Sequence, residues 1–324
     1  MHTDLPLEEL RVRRSAVVEP ADFDDFWART LDEARRADDE APRLAPVSHP
    51  LRTLVVDDVT FPGFAGEPVR AWFRRPARAD GRLPVVVEHV GYGGGRGHVL
   101  DGLAWASAGF AHLLVDSRGQ GAGWSRGDTP DPHGSGPAVP GVMTRGIEDP
   151  ETYYYRRYLT DAVRAVDATR RLPGVDPDRL AVVGTSQAGA AALAVAGLRD
   201  DVAAVVAQVP FLCDVPRAIT VTDESPYREV ADYLARHRDR EEQVLRTLSY
   251  VDGVVMARRA TAPARFSVAL MDAVTPPSTV FAAHNEYGGP ARLRVWPYNG
   301  HEAGEADDLA ESIAFVSDVL GSPA

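Results

Sequence analysis

The sequence predicts an α/β protein with a mostly parallel central sheet flanked by helices. Beyond residue 83, short apolar runs alternate with helical stretches; the runs are PVVVEHV, AHLLVD, RLAVVG, VAAVVAQVP, ARFSVALMD and RLRVWP. Continuous apolar strands separated by helices are typical of a parallel sheet that is covered on both faces. A chain of 324 residues, 44% of them apolar, is long enough to bury such a core as one domain, residues 1–324.

Local spacing predicts the elements around this sheet. Residues 1–50 form an N-terminal helical extension, in which Phe23, Phe26, Trp27 and Leu31 recur at the spacing of a surface helix. Residues 51–61 and 67–75 are predicted as two strands that form an antiparallel pair at a sheet edge. Further helices are expected at residues 100–108, 152–171, 187–198, 277–285 and 307–320.

Two segments interrupt the alternation of strands and helices. Residues 125–150 are rich in glycine and proline and are predicted to form a long loop, which in a compact domain usually serves a function or an interface. Residues 216–260 are predicted to form a charged helical insert. We expect this insert to cap a site at the strand ends.

The composition excludes several classes of function. The formal net charge is −12, so nucleic acid is not an expected partner. All 35 residues counted as Lys and Arg are arginine, which excludes a P-loop lysine and a lysine Schiff base. The one cysteine, Cys213, cannot form an intrachain disulfide. Since no long apolar run and no apolar leader occur, we expect a cytoplasmic protein with no membrane contact.

The stretch LAVVGTSQAGAAALAVAGL, residues 180–198, places Ser186 at a corner between a predicted strand and a predicted helix. Serine is a favoured helix N-cap, so a purely structural role is one interpretation. The corner is also typical of a nucleophile elbow, G-x-S-x-G, where helix N–H groups face a developing oxyanion. Ala188 stands where that pattern has its second glycine, and alanine is the least costly replacement.

An elbow serine needs a base and an acid, which follow it in the order serine, acid, histidine on the α/β-hydrolase fold. His237 and His284 fall in predicted helices, whereas His301 lies in a loop after the last predicted strand. Asp272 ends the strand before it. The sequence therefore predicts Ser186 as nucleophile, His301 as base and Asp272 as the acid that fixes the imidazole. A turn cap is the alternative role for Asp272.

The glycine-rich stretch GYGGGRG, residues 91–97, lets backbone N–H groups approach a ligand closely. We expect the backbone N–H of Tyr92, with that of Gln187 after the nucleophile, to form an oxyanion hole. The stretch does not fit the dinucleotide pattern G-x-G-x-x-G, because Arg96 and His98 fall where the third glycine is required. No H-E-x-x-H or similar spacing occurs, so we expect neither a metal nor another cofactor.

Several stretches resemble the blocks of one family, in the same order. GYGGGRG is similar to an oxyanion loop, DSRGQGAGW contains the triplet Arg118-Gly119-Gln120, and VGTSQAG is similar to an elbow, with Ala188 as a departure. VPFLCD, LMDAVTPPSTVFAA and VWPYNGHE follow. Together these stretches resemble carbohydrate esterase family 7, the acetyl xylan esterases and cephalosporin-C deacetylases of the α/β-hydrolase superfamily.

The resemblance implies a serine esterase that removes acetyl groups from xylo-oligosaccharides and, in many members, from cephalosporin C. It implies the catalytic and oxyanion residues predicted above, and it implies that Arg118, Gly119 and Gln120 are structural residues that brace the loops around the site. Members of the family are typically intracellular and often form ring-shaped homohexamers. Residues 125–150 are then expected to help line the interface between subunits.

Two alternative functions remain open at this point. A peptidase or a lactone hydrolase would use the same fold, because a fold does not fix a function. A catalytically silent hydrolase-like protein would bind a sugar or a partner without turnover; the departure at Ala188 favours it, and the order serine, aspartate, histidine speaks against it. A clear preference for acetyl esters over peptide substrates would separate an esterase from a peptidase.

Overall fold

A nine-stranded sheet organises the part of the chain that the computed structural model describes, residues 4–134 and 136–321. The strands are β1 (Arg43–Pro46), β2 (Leu54–Pro62), β3 (Pro68–Pro76), β4 (Leu83–Glu88), β5 (Ala111–Val115), β6 (Val175–Thr185), β7 (Ala204–Gln208), β8 (Ala264–Ala269) and β9 (Ala291–Trp296). Their order across the sheet is β1-β2-β3-β5-β4-β6-β7-β8-β9. Strands β4 to β9 pair in parallel, as the alternation of apolar runs and helices predicts.

Helices connect the strands and flank the sheet. They are α1 (Leu7–Leu10), α2 (Phe23–Ala37), α3 (Ala104–Ser107), α4 (Tyr154–Thr169), α5 (Gln187–Leu198), α6 (Val215–Val221), α7 (Tyr227–Leu234), α8 (Glu241–Ser249), α9 (Gly253–Arg259), α10 (Pro277–Asn285) and α11 (Glu305–Leu320). Helices α5 and α10 have the predicted bounds. Helix α3 is shorter than the predicted helix at residues 100–108, because Gly102 has a φ of 62°, which a right-handed helix does not contain.

The antiparallel edge of the sheet differs in one respect from the prediction. Strands β2 and β3 form the expected antiparallel pair, and β3 also pairs antiparallel with β5. The pair is not outermost, however, because β1 from the N-terminal extension pairs with β2, with Arg43 opposite Thr60. The placement of the pair at the edge was therefore wrong. Strand β1 has only four residues and ends in Pro46, so its sequence gives no strand signal.

Apolar side chains on both faces of the sheet pack against helices. On one face, Val85 and Val87 of β4 belong to the main core, together with residues of α2, α4, α5 and α9. On the other face, Val86 belongs to a cluster with Trp105 of α3 and Phe315 of α11. The central strands are thus buried on both sides, and this explains why their sequences are continuously apolar.

Helices α6 to α9 lie between β7 and β8 and correspond to the predicted insert at residues 216–260. Helix α9 packs against α5, and a Cβ added to Gly197 of α5 would lie 2.5 Å from the carbonyl oxygen of Met256. Ser225 and Pro226, at the turn before α7, line the cavity described below. The insert therefore contributes both to the core and to a wall of that cavity.

The predicted long loop contains no helix or strand where it is described, at residues 125–134 and 136–150. Within the same described parts of the chain, no helix is long and apolar enough to cross a membrane.

Candidate active site

Ser186 lies at the turn where β6 ends and α5 begins, and its backbone is strained. Its φ is 61° and its ψ is −121°, values that a non-glycine residue rarely adopts. The turn is held because the Ser186 N–H donates to the carbonyl oxygen of Gln208 at 2.9 Å and the Ser186 carbonyl accepts from Ala190 and Phe211. Although Ser186 occupies the N-cap position, its hydroxyl makes no capping hydrogen bond. The strain therefore presents the hydroxyl to other groups.

The tightness of the turn explains which small residues it requires. A Cβ added to Gly184 would lie 2.3 Å from both the carbonyl carbon and the carbonyl oxygen of Ala188, so only glycine fits at position 184. Ala188 itself is 1% exposed and belongs to the first turn of α5. The elbow thus forms with alanine at position 188, where the sequence departs from the usual pattern.

His301 approaches Ser186 from the loop that follows β9. Its Nε2 lies 2.9 Å from the Ser186 Oγ, and its Nδ1 lies 2.9 Å from Oδ2 of Asp272. The fold therefore brings together the three side chains that the sequence predicts as nucleophile, base and acid. With a proton on Nδ1, the imidazole accepts the serine proton at Nε2.

Asp272 follows β8 and is fully buried. Its Oδ1 accepts hydrogen bonds from the backbone N–H groups of Val274 and Thr275, at 2.8 and 2.9 Å. Its Oδ2, which faces His301, also accepts from the hydroxyl of Thr275 at 2.7 Å. Asp272 thus combines the turn-capping role and the histidine contact, which the sequence analysis treated as alternatives. Thr275 is a residue of the site that sequence reasoning missed.

Other candidates for the acid and the base lie away from Ser186. Glu302, next to His301 in the chain, accepts at Oε1 from the N–H of Gly300 and so faces its own loop. The ring of His237 stacks on Tyr233, and His284 Nδ1 lies 3.2 Å from the side-chain oxygen of the neighbouring Asn285. Of the three histidines that follow the serine, His301 is therefore the one that lies against Ser186, as its predicted place in the loop after the last strand indicates.

A cavity of about 780 Å³ opens beside the serine. It is lined by residues that include Ser186, His301, Tyr92, Trp124 and Glu88. Trp124 is 67% exposed, so the indole lies at the surface of the molecule. The cavity is much larger than an acetyl group requires, and a larger alcohol portion of an ester fits beside it.

The glycine-rich loop places Tyr92 against this cavity, and its backbone is held at two points. The Trp124 Nε1 donates to the Tyr92 carbonyl oxygen at 2.8 Å. The N–H of Gly93 donates to Oε1 of Gln120 at 2.6 Å. A Cβ on Gly94 would lie 2.3 Å from the Trp124 ring, so the loop packs closely against the indole. Among the described residues, neither the Tyr92 N–H nor the Gln187 N–H bonds to a protein acceptor.

The side chain of Gln187 is fixed by a buried network at the start of α5. Its Oε1 accepts from Nε2 of Gln120 and from the hydroxyl of Tyr155, each at 3.0 Å. Its Nε2 donates to the carbonyl oxygen of Val90 at 3.2 Å. The Gln120 Nε2 also donates to the hydroxyl of Tyr154 at 2.7 Å. Gln120 therefore connects the glycine-rich loop to the residue after the nucleophile.

Arg118 holds its own loop, which follows β5, to the core through carboxylates. It is fully buried, and its guanidinium donates to Asp161 at 2.6 and 2.9 Å, to Glu67 at 2.8 Å and to Asp131 at 3.2 Å. Burial alone would lower the pKa of Arg118, but these carboxylates raise it above its ordinary value. Gly119 has a φ of 61°, and a Cβ there would lie 2.8 Å from the Asp131 side chain. In this triplet, Arg118 therefore anchors the loop that follows β5, Gly119 allows its turn, and Gln120 bonds to the glycine-rich loop and to Gln187.

Two further contacts of the site have no signal in the local sequence. Trp124 bonds to the carbonyl of Tyr92, and Glu229 of α7 accepts a hydrogen bond from the Tyr92 hydroxyl. Both join segments far apart in the chain. In residues 4–134 and 136–321, no group of three His, Cys, Asp or Glu side chains converges to hold a metal ion.

The sheet topology and the site define an α/β hydrolase, in which a serine at a strand-to-helix elbow meets an aspartate and a histidine that follow two later strands. The sequence model of the acetyl xylan esterase (AXE1) family matches residues 1–319. The chain belongs to this family.

Solved structures and a curated relative are similar over most of the chain. An acetyl xylan esterase from Paenibacillus sp. R4 is 36% identical, with a TM-score of 0.91 and coverage of 97% of this chain and 100% of that one. Acetyl xylan esterase 1 from Thermoanaerobacterium sp. JW/SL YS485 is 33% identical, with a TM-score of 0.87 and coverage of 97% and 99%. Acetyl esterase Axe7A from Xylanibacter ruminicola is 28% identical over 296 residues, 87% of this chain and 63% of the relative's own length. The chain thus spans less than two thirds of the length of that curated relative.

Proposed function

We propose that the protein is a serine esterase that removes acetyl groups from acetylated xylo-oligosaccharides, with cephalosporin C as a second acetyl ester that it accepts. The observation that carries the proposal is the Ser186 hydroxyl, which makes no capping bond and lies 2.9 Å from Nε2 of His301. Membership of the acetyl xylan esterase family and the names of the similar solved structures support acetyl esters as the substrate class.

In the proposed mechanism, His301 accepts the proton of Ser186 and the serine oxygen attacks the acetyl carbonyl carbon. The backbone N–H groups of Tyr92 and Gln187 donate to the oxygen of the tetrahedral intermediate. The bond from the acetyl carbon to the sugar oxygen then breaks, His301 protonates this oxygen so that the sugar leaves with a free hydroxyl, and an acetyl-enzyme remains. Water, deprotonated by His301, attacks this ester, and His301 returns the proton to the Ser186 oxygen as acetate leaves. Asp272 keeps the imidazole in the required tautomer and stabilises the imidazolium.

The size of the cavity supports a proposal that the sugar portion of the substrate binds next to Trp124 and Glu88. An exposed indole offers an apolar face to a sugar ring, and a carboxylate accepts hydrogen bonds from sugar hydroxyls. Both groups line the cavity that contains Ser186 and His301. The acetyl group needs only the small space between the serine and the two backbone N–H groups.

The test compares hydrolysis of 4-nitrophenyl acetate, butyrate and octanoate by the wild type and by Ser186→Ala. We expect activity on the acetate that falls as the acyl chain lengthens and that nearly disappears in the variant. Ser249→Ala, which changes a serine of α8 whose hydroxyl donates to the carbonyl of Arg246, is the matched control and should keep full activity. An active Ser186→Ala protein would refute the assignment, and cleavage of peptide substrates in preference to acetyl esters would favour a peptidase.

We further propose that residues 1–324 act as one domain and that the protein works in the cytoplasm as a homohexamer. The one-domain proposal is supported by β1 and by α6 to α9, which join the same sheet and the same core as the other elements. Cys213 is buried and free, as suits a reducing compartment. Light scattering after size-exclusion chromatography should give six times the chain mass of 35.0 kDa. A mass of one chain at micromolar concentration would contradict the hexamer.

A further inference from the structure

We propose that Glu229 is a positioning residue, which holds the oxyanion peptide of Tyr92 in place through a hydrogen bond to the Tyr92 hydroxyl. Glu229 lies on α7, in the helical insert, and is separated from Tyr92 by 137 residues in the chain. The inference rests on the proposed function, because it concerns the backbone N–H that is assigned there to the oxyanion hole.

Three hydrogen bonds define the arrangement. The Tyr92 hydroxyl donates to Oε1 of Glu229 at 2.7 Å. The same hydroxyl accepts from the backbone N–H of Val142 at 2.7 Å. The other carboxylate oxygen, Oε2, accepts from the backbone N–H of Met143 at 3.1 Å. The phenol of Tyr92 is therefore held jointly by the insert and by the long loop at residues 136–150.

The surroundings keep the Tyr92 phenol in the role of donor. Glu229 is 6% exposed, and burial raises its pKa above the ordinary value although the Tyr92 and Met143 hydrogen bonds act in the opposite direction. Burial and the neighbouring carboxylate raise the pKa of the Tyr92 phenol, so the phenol stays protonated and donates. A Cβ on Gly141 would lie 2.3 Å from Oε2 of Glu229, which shows how closely the loop approaches the carboxylate.

The Tyr92 N–H needs such an anchor because the glycines on either side of it do not fix its direction. Gly91 and Gly93 flank it, and Gly93 has a φ of 76°. Glycine backbones adopt many conformations, so local sequence does not fix the direction of the Tyr92 N–H. Trp124 and Gln120 bond to the Tyr92 carbonyl and to the next N–H in the chain. The hydrogen bond from the Tyr92 hydroxyl to Glu229 supplies a third point of attachment, through the side chain of Tyr92.

Loss of this attachment should reduce transition-state stabilisation more than substrate binding. Deleting an oxyanion donor outright costs about 10² to 10³ in rate. Here the donor remains and only its position relaxes, so we expect a loss of about tenfold in kcat. KM for a small ester such as 4-nitrophenyl acetate should not change, since the ground-state carbonyl makes weaker hydrogen bonds than the oxyanion.

Tyr92→Phe and Glu229→Gln test the inference, alone and together. Phenylalanine removes the donor and keeps the ring, and glutamine keeps the shape but has one acceptor oxygen for two donors. Each variant should lose about tenfold in kcat at unchanged KM, and the double variant should be no worse than either single one, because both remove the same bond.

A transition-state analogue supplies an independent readout. When 1,1,1-trifluoroacetone binds, the Ser186 oxygen adds to its carbonyl carbon, the serine proton passes to His301 and the carbonyl oxygen becomes an oxyanion. Its inhibition constant should rise in each variant by the same factor by which kcat falls. A residue that only supports the fold would lower the melting temperature without producing this match.

Tyr233→Phe is the matched control. Tyr233 is also on α7, and its hydroxyl bonds to Glu148 of the same loop, but it does not contact Tyr92. This variant should keep wild-type kcat. Wild-type kcat in Tyr92→Phe, or losses that multiply in the double variant, would overturn the inference while the esterase activity stands. A wild type without Ser186-dependent activity would instead refute the proposed function itself.

Discussion

The contact between Gly184 and Ala188 gives a quantitative prediction for the nucleophile elbow. In Gly184→Ala, the new Cβ would lie 2.3 Å from the carbonyl carbon and the carbonyl oxygen of Ala188 and 2.5 Å from its Cβ. Carbon atoms in contact are normally about 3.5–4.0 Å apart. The turn must therefore open by about 1 Å, and Ser186 lies inside it.

The size of the effect follows from that displacement. Overpacking of this kind costs about 1–3 kcal/mol in the free energy of unfolding. A displacement of about 1 Å at a reacting group costs about 10²-fold in kcat. We therefore expect Gly184→Ala to fold, to unfold at a lower denaturant concentration and to lose about two orders of magnitude in turnover of 4-nitrophenyl acetate.

A second change at Ala188 makes the prediction sharper. Two of the three colliding atoms belong to the Ala188 backbone, so Ala188→Gly removes only the third and should not rescue Gly184→Ala. Ala188→Gly alone should stay active and lose about 0.5–1 kcal/mol in stability, the usual cost of glycine in a helix. Steady-state kinetics and urea unfolding of the three variants decide the matter. Full activity in Gly184→Ala, or recovery in the double variant, would refute this account of the elbow.

Further predictions concern the acid, the buried arginine and the cavity. Asp272→Asn should lower kcat about 10⁴-fold by favouring the wrong imidazole tautomer, and a loss below tenfold in ester hydrolysis would contradict its role. Arg118→Met leaves the buried carboxylate of Asp131 without one of its guanidinium partners. The variant should lose about 3–5 kcal/mol in the free energy of unfolding, measured in urea. A loss below about 1 kcal/mol would show that these ion pairs do not contribute to stability. Burial alone would raise the pKa of Asp131, but its arginine partners hold it below the ordinary value of 3.8. The stabilisation from this group is therefore present at neutral pH and lost as the pH falls below 3.8, and urea unfolding at a series of pH values should show a smaller acid loss in Arg118→Met. Glu88 lines the cavity, and its carboxylate lies 2.8 Å from Nε2 of His112. Glu88→Gln should lower kcat/KM for acetylated xylo-oligosaccharides about tenfold and leave 4-nitrophenyl acetate unaffected. Equal losses on both substrates would argue against a sugar contact.

Local sequence predicts the elbow because the strand, the small residues and the helix that form it lie within residues 180–198, although Gln208 and Phe211 also bond to the turn. An apolar strand, a run of small residues and an alanine-rich helix follow one another there, and α5 begins and ends at the predicted residues, Gln187 and Leu198. Asp272 and His301 are also predictable, since neighbouring parallel strands deliver the residues after them to one edge of the sheet. The position of a residue after its strand thus indicates the site where sequence spacing alone does not.

The remaining parts of the site depend on contacts between distant segments. Nothing in the local sequence distinguishes Glu229 from other acidic residues of the insert, yet it reaches Tyr92 across 137 residues. The sequence of strand β1 gives no strand signal either, because its four residues form a strand only by pairing with β2. Such features follow from the packing of the finished fold, and sequence periodicity does not encode them.

The proposed oxyanion donors at Tyr92 and Gln187 are main-chain groups, and every amino acid except proline supplies one. The identity of the residue at either position therefore does not by itself specify the donor. The direction of the two N–H groups depends on neighbouring residues, namely Gln120, Trp124 and Glu229. The side chains of the two donor residues matter for the same reason, because the Tyr92 hydroxyl bonds to Glu229 and the Gln187 amide bonds to Gln120. In directed evolution, we therefore expect the geometry of the hole to be tuned through these side-chain contacts.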